Sequence, residues 1–134
     1  MFEIACLAAL EVARPAAQRE HVRIQRTVVL AQEPRLKAAV LGGGGLSPGP
    51  APPEVDGFTF APRVSAPVLM FNGHLDLIFD LERSQKPLFR MLGTPAEHKR
   101  HIVVPGGHGV FFEKRSQFIR EVLDWFDRYL GPVP

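Results

Sequence analysis

The sequence predicts an α/β fold, in which a small parallel sheet of about three strands is flanked by helices. Short apolar runs alternate with segments of helical periodicity, in the order strand, loop, strand, helix, strand, helix. This alternation is typical of parallel sheets whose strands are joined by right-handed crossovers. The run Val-Leu-Met-Phe at residues 68–71 is continuously apolar, as expected of a strand that a parallel sheet buries on both faces.

The chain is predicted to divide into an N-terminal helical segment, residues 1–35, and a sheet-forming part, residues 36–134. Residues 1–13 are rich in Ala, Leu and Glu, which predicts a helix that stops before the first proline. Residues 27–32 are predicted to form the end of a second helix. Pro34 ends that helix, because the residue before a proline avoids the helical region.

Three strands are predicted, near residues 36–41, 66–71 and 101–104. The first strand runs into Gly42–Gly45, a glycine run typical of a tight loop after a buried strand. Residues 46–62 are dense in proline and glycine and are too many for an ordinary connection. We therefore expect this loop to be either functional or disordered.

Two helices are predicted after the second and third strands. Residues 81–92 carry their leucines and a phenylalanine broadly on one side, and Pro87 predicts a kink there. The last helix, near residues 116–130, has a wide apolar stripe at helical spacing and begins with Ser116 as its N-cap. The stripe consists of Phe118, Ile119, Val122, Leu123, Trp125, Phe126, Tyr129 and Leu130.

The composition argues against several classes of protein. The 16 basic residues nearly balance 14 acidic ones and are scattered, which is not the footprint of a nucleic-acid-binding protein. No segment approaches the roughly 18 apolar residues of a membrane span, and residues 1–13 lack the basic start of a signal peptide. Cys6 is the only cysteine, so we expect no internal disulfide, a small core side chain and a cytoplasmic location.

Two polar segments follow the second and third predicted strands: Asn72-Gly73-His74-Leu75-Asp76 and Gly106-Gly107-His108-Gly109. Neighbouring parallel strands bring such segments to one edge of the sheet, where chemistry gathers. We therefore expect Asp76 and His108 to approach within about 2.6–3.2 Å. A carboxylate that orients an imidazole lets the histidine act as a base toward a hydroxyl. Asp80 competes for the position of the acid, although it equally suits capping the following helix.

Residues 66–76 (APVLMFNGHLD), a helix, residues 99–109 (KRHIVVPGGHG) and a closing amphipathic helix together resemble the end of the α/β-hydrolase fold. They are similar to the branch that contains dienelactone hydrolases, acetyl xylan esterases and prolyl-oligopeptidase-like peptidases. Residues 33–46 (EPRLKAAVLGGGGL) resemble the strand that precedes the acid strand. The resemblance implies that residues 36–134 are the C-terminal part of such a domain.

This resemblance also implies roles for individual residues. Asp76 matches the acid of a catalytic triad, and His108 matches its base. The implied chemistry is that of a serine esterase or peptidase, with a small-molecule ester or a peptide as substrate. No metal and no organic cofactor are implied.

The nucleophile of this family is missing from its expected place. In the fold it precedes the acid and the histidine on a G-x-S-x-G turn. Residues 1–41 contain neither glycine nor serine, so they cannot form this turn, and the chain is expected to be truncated. Ser47 follows the glycine run but precedes Pro48-Gly49-Pro50 rather than a helix, so we interpret it as a loop serine. The glycine run also lacks the Lys-Ser/Thr of a phosphate-binding loop.

Two functions stay open at this point. In the first, the chain contributes the acid and histidine of a serine hydrolase and is inactive until a nucleophile-bearing half completes it. In the second, it is a non-catalytic remnant that binds a partner. Missing upstream strands would leave the edge of the 36–41 strand unpaired, and an exposed strand edge favours self-association.

Overall fold

The parallel sheet that the sequence predicts is present. The computed structural model describes residues 27–47 and 49–131, together with the backbone of residues 5–6. The strands are β1 (Ala5–Cys6), β2 (Ala39–Gly42), β3 (Val68–Gly73) and β4 (Lys99–Val104). All neighbouring pairs are parallel, in the order β1-β2-β3-β4. The α/β prediction is confirmed, with β1 as an additional short strand.

Helices and helical turns connect these strands. They are α1 (27–32), α2 (Gly57–Phe60), a 3-10 turn (Ala61–Arg63), a π-helical turn (Leu81–Gln85), α3 (Lys86–Met91), a second 3-10 turn (Ala96–His98), α4 (Val110–Glu113) and α5 (Arg115–Leu130). In the described part of the chain, no helix has the length and apolar character needed to cross a membrane.

The core lies on both faces of the sheet, because each central strand alternates its side chains. All six residues of β3 are buried. Val68 and Met70 pack on one side in a cluster that includes Leu88 of α3. Leu69 packs on the other side against Trp125 of α5. A strand buried on both faces needs the continuous apolar sequence from which it was predicted.

The N-terminal segment differs from the helix that was predicted over residues 1–13. Ala5 and Cys6 form β1 and pair in parallel with Ala39 and Val40. Alanine favours helices, but intrinsic propensity yields to tertiary context, here the open edge of β2. The edge of β2 is therefore paired at these two positions, contrary to expectation. The remainder of residues 1–26 and the side chain of Cys6 lie outside the described residues, and self-association through a strand edge stays a prediction.

Several element boundaries also differ from prediction. β3 continues through Asn72 and Gly73, which pair with Val103 and Val104 of β4. Ser116 is not the N-cap of α5, since this helix begins at Arg115 directly after α4. In both cases the neighbouring element extends the predicted one, by strand pairing or by helix continuation.

The predicted loop over residues 46–62 is partly helical. Asp56 accepts hydrogen bonds from the backbone N–H groups of Phe58 and Thr59 and so caps α2. Phe60 at the end of α2 is buried. The N-cap and the buried Phe60 stabilise this short helix, although no helical period reveals it in the sequence.

Candidate active site

Asp76 and His108 lie beyond the carboxyl ends of the neighbouring strands β3 and β4. His108 Nδ1 and Asp76 Oδ2 are 2.8 Å apart. The side chain of Asp76 is fully buried, whereas that of His108 is 21% exposed. The structure thus brings together the two residues that the sequence predicted as a pair, and their catalytic role stays a prediction. Pairing through Nδ1 leaves Nε2 as the nitrogen that can exchange a proton with a nucleophile.

The local backbone fixes the carboxylate of Asp76. Its Oδ1 accepts hydrogen bonds from Ile78 N at 2.8 Å and Phe79 N at 2.9 Å, and its Oδ2 is the atom that meets His108. A buried carboxylate is costly unless hydrogen bonds replace its lost water. The two backbone N–H groups and the imidazole together replace that water. The same carboxylate therefore holds both the turn over residues 76–79 and the pair with His108.

Asp80 has a different role. Its Oδ1 accepts hydrogen bonds from the backbone N–H groups of Glu82 and Arg83 at 3.0 and 2.8 Å, which caps the π-helical turn. Geometry therefore distinguishes the two carboxylates that the sequence left open. Asp76 meets His108, and Asp80 begins the following helical turn.

The ring of His108 rests on the glycine run that follows β2. Gly43 has a φ of +64°, and a side-chain carbon there would lie 3.1 Å from His108 Cε1. Any larger residue would be both strained and crowded at Gly43. Two aromatic rings also contact the imidazole, Phe79 at 5.7 Å and Phe111 at 6.5 Å between centroids. These contacts restrict the orientation of the ring.

Backbone hydrogen bonds join the loop that carries Asp76 to the loop that carries His108. His74 N donates to Val104 O, and Leu75 N donates to Gly106 O, both at 3.0 Å. A side-chain carbon on Gly73 would lie only 2.2 Å from Gly107 O. The two loops are therefore joined by backbone hydrogen bonds in the same way as paired strands. Only glycine at position 73 leaves room for this close approach.

Three buried polar residues around the site were not singled out from the sequence. Asn72 Nδ2 donates to Gly44 O at 2.8 Å, and Ser84 Oγ donates to Leu46 O at 2.7 Å. Gln85 Nε2 donates to two carbonyl oxygens, of Gly73 at 2.9 Å and of Phe79 at 2.7 Å. One signal was present: Gln85 stands four residues after Leu81 and three before Leu88, so it occupies the apolar side of the predicted helix.

A largely apolar hollow lies beside the site. Its lining includes Leu41, Leu46, Ser47, Phe58, Phe79 and Leu88. Phe79 connects the hollow to the pair, since its ring also contacts His108. Ser47 therefore lines a hollow that adjoins His108 through Phe79, although residues 44–47 form no helix or strand. Within residues 27–47 and 49–131, no group of three or more His, Cys, Asp or Glu side chains is placed to bind a metal ion.

Comparison with solved structures places this arrangement in a known fold. A novel cold-adapted esterase from an Arctic intertidal metagenomic library, in its native structure, is 28% identical to this chain with a TM-score of 0.61. The match covers 82% of this chain and 46% of the esterase chain. The zinc-bound structure of a novel cold-adapted esterase from such a library gives 28% identity, a TM-score of 0.62 and the same coverage.

The chain carries part of an α/β-hydrolase fold. It spans less than half the length of these esterases. The acylaminoacyl peptidase of Pyrococcus horikoshii is 18% identical with a TM-score of 0.59, over 85% of this chain and 23% of the peptidase. At that identity the likeness to the peptidase is one of α/β-hydrolase fold alone. No protein-family model matches the sequence, and no curated protein matches it.

Proposed function

We propose that this chain supplies the acid and the base of a serine-hydrolase-like protein of the esterase or peptidase lineage. One observation carries the proposal: the fully buried carboxylate of Asp76 lies 2.8 Å from Nδ1 of His108, at the carboxyl edge of a parallel sheet. The esterase structures that resemble the chain support the same lineage.

The pair is suited to moving a proton between a nucleophile and a leaving group. With Nδ1–H donated to Asp76, Nε2 of His108 accepts the proton of an attacking hydroxyl. The buried carboxylate stabilises the imidazolium that forms, and the same proton then passes to the leaving alcohol or amine. The substrate proposed on this chemistry is an ester or a peptide.

The same proposal includes that the chain alone is inactive. Residues 1–41 contain no glycine and no serine, so they cannot form the G-x-S-x-G turn on which this fold presents its nucleophile. The oxyanion hole uses the backbone N–H that follows the nucleophile and is lost with it. Activity therefore needs a nucleophile from another part of a longer polypeptide or from a partner chain.

Hydrolysis of a p-nitrophenyl ester by the chain and by His108→Ala tests this proposal. We expect both proteins to show the same slow rate, no greater than that of an equal concentration of free imidazole. Saturable turnover that is lost in His108→Ala would contradict inactivity and reveal a nucleophile within the chain.

Two variants would then identify that nucleophile. Ser47→Ala tests the serine that lines the hollow beside Phe79. Cys6→Ala tests the only cysteine, which stands in β1 next to β2. The residue whose removal abolishes turnover would be the nucleophile, and the proposed acid and base would be retained.

A further inference from the structure

We propose that Gln85 is a positioning residue for the pair formed by Asp76 and His108. Its buried amide binds both ends of the loop that carries Asp76 and so sets where the carboxylate meets the imidazole. The inference rests on the proposed function only in assigning that pair to catalysis; the positioning itself is a property of the folded chain.

The hydrogen bonds of Gln85 enclose the turn around Asp76. Gln85 is fully buried. Its Nε2 donates to Gly73 O, three residues before Asp76, and to Phe79 O, three residues after it. Asp76 Oδ1 in turn accepts from Phe79 N. The backbone of Phe79 is therefore bound on its N–H side by Asp76 and on its C=O side by Gln85, which leaves the turn little freedom.

The two carbonyl acceptors fix the orientation of the Gln85 amide. Only its NH₂ group can donate, so Nε2 must face Gly73 O and Phe79 O. Gln85 Oε1 is then buried without a hydrogen-bond partner among the described residues. An unpaired buried acceptor destabilises a protein, and an apolar side chain of similar size would avoid this cost. Simple filling of the core therefore does not account for an amide at this position, whereas fixing the loop does.

The π-helical turn directs Gln85 toward this loop. Gln85 N bonds to Asp80 O and Lys86 N to Leu81 O, each over five residues instead of four. Such wide turns are rare and occur frequently at functional sites. Here two consecutive side chains, Ser84 and Gln85, are both buried. Ser84 bonds to Leu46 O in the glycine-rich loop, while Gln85 bonds to the loop of Asp76.

This division of contacts provides a matched control. Ser84→Ala and Gln85→Met each remove buried hydrogen bonds from the same helical turn, but only the second loosens the loop of Asp76. If Gln85 only stabilised the helical turn, both variants would change the tautomer of His108 to a similar extent. A positioning role predicts that only Gln85→Met changes the state of the imidazole.

The tautomer of His108 is the readout, measured from the ring nitrogens by ¹H–¹⁵N NMR of the whole chain with the imidazole neutral. In the unsubstituted chain we expect His108 to carry its proton on Nδ1, because Asp76 accepts from that nitrogen. In Gln85→Met we expect a several-fold rise in the Nε2–H tautomer, with the backbone signals of β2, β3 and β4 retained. Ser84→Ala should leave the tautomer ratio unchanged.

Gln85→Glu is the second variant, in case Gln85→Met does not fold. It keeps the volume of glutamine and, as a neutral buried acid, can donate one hydrogen bond where the amide donates two. We expect a smaller rise in the Nε2–H tautomer than in Gln85→Met. An unchanged tautomer in a folded Gln85 variant, an equal change in Ser84→Ala, or loss of the folded spectrum in both Gln85 variants would overturn the positioning role. If the unsubstituted chain itself lacks the Nδ1–H tautomer, the proposed function fails instead.

Discussion

Two carboxylates four residues apart show how burial changes the role of one residue type. Asp76 and Asp80 each accept two backbone N–H groups that follow them in sequence. Asp76 is buried and also meets His108, whereas Asp80 lies at the exposed start of a helical turn. The sequence alone allowed either to be the acid, because an aspartate that bonds to the backbone N–H groups after it looks the same in sequence whether it is buried or exposed.

We predict that Asp76→Ala destabilises the fold by about 3 kcal/mol and Asp80→Ala by about 1 kcal/mol. Removing the Asp76 carboxylate leaves two backbone N–H groups and the Nδ1 of His108 without their acceptor in a buried place. Water can replace the lost acceptor at Asp80. Urea unfolding of both variants measures the difference, and equal losses would show that the buried pair adds no stability beyond its turn.

At the scale of elements, the contact between the ends of β3 and β4 determines the site. Strand pairing continues from β3 into the loop of Asp76 through His74 N and Leu75 N. The two backbones are close at Gly73, where a side-chain carbon would lie 2.2 Å from Gly107 O and 2.3 Å from Gly106 O. Backbone atoms cannot give way as a flexible side chain can, so even one methyl group must separate the loops.

We therefore predict that Gly73→Ala destabilises the fold by about 3 kcal/mol or more and separates Asp76 from His108. The matched control is Gly109→Ala, since a side-chain carbon on Gly109 meets nothing within 4 Å and its φ is −82°. That change should cost less than about 1 kcal/mol. Thermal or urea unfolding compares the two variants, and a mild effect of Gly73→Ala would mean that the loops can part without loss of the fold.

Elements with a strong apolar pattern could be predicted from the sequence. In α5, Phe118, Val122, Trp125, Phe126 and Tyr129 of the predicted stripe pack against the sheet, whereas Ile119 and Leu123 are exposed. The apolar runs of β2 and β3 are buried, because burial on two faces imposes such patterns directly. The position of Asp76 and His108 after neighbouring strands followed from parallel topology. These predictions needed only local sequence patterns and the rule that parallel strands bring their carboxyl ends to one edge of the sheet.

Elements that depend on distant partners could not be predicted. β1 forms by pairing with β2, although its alanine-rich sequence favours a helix. The predicted helix over residues 81–92 begins instead as a π-helical turn before Pro87. The buried Ser84 and Gln85 of this turn bond to residues 38, 12 and 6 positions away. The extra length of β3 depends on pairing of Asn72 and Gly73 with β4. In each case the element is bonded to residues outside it, which no local pattern in the sequence indicates.

For the whole molecule, helices cover both faces of one sheet. α3 covers one face, and its residue Phe89 packs on His101 of β4 at 5.5 Å between ring centroids. His101 is half-buried, and its Nε2 is buried without a hydrogen-bond partner among the described residues. A neutral imidazole tolerates this environment, whereas an imidazolium would need a partner for that N–H group.

Burial, together with the nearby positive charge of Lys86, lowers the pKa of His101 from its ordinary value of 6.5 to about 4. Between these two pH values the unfolded chain binds a proton at His101 and the folded chain does not. The free energy of unfolding therefore falls as the pH decreases from 6.5 toward 4. The stability that depends on a neutral His101 is fully present above pH 6.5.

We predict that lowering the pH from 7 to 5 reduces the free energy of unfolding of the protein by about 1 kcal/mol more than that of His101→Phe, since solvent screens a half-buried ring in part. Phenylalanine keeps a ring against Phe89 but cannot take up a proton. The two proteins share every other titratable group, so the difference between their losses isolates His101. Urea midpoints at the two pH values provide the measurement. Equal losses would show that the His101 environment accepts a charged ring, which would require rearrangement where α3 packs on β4.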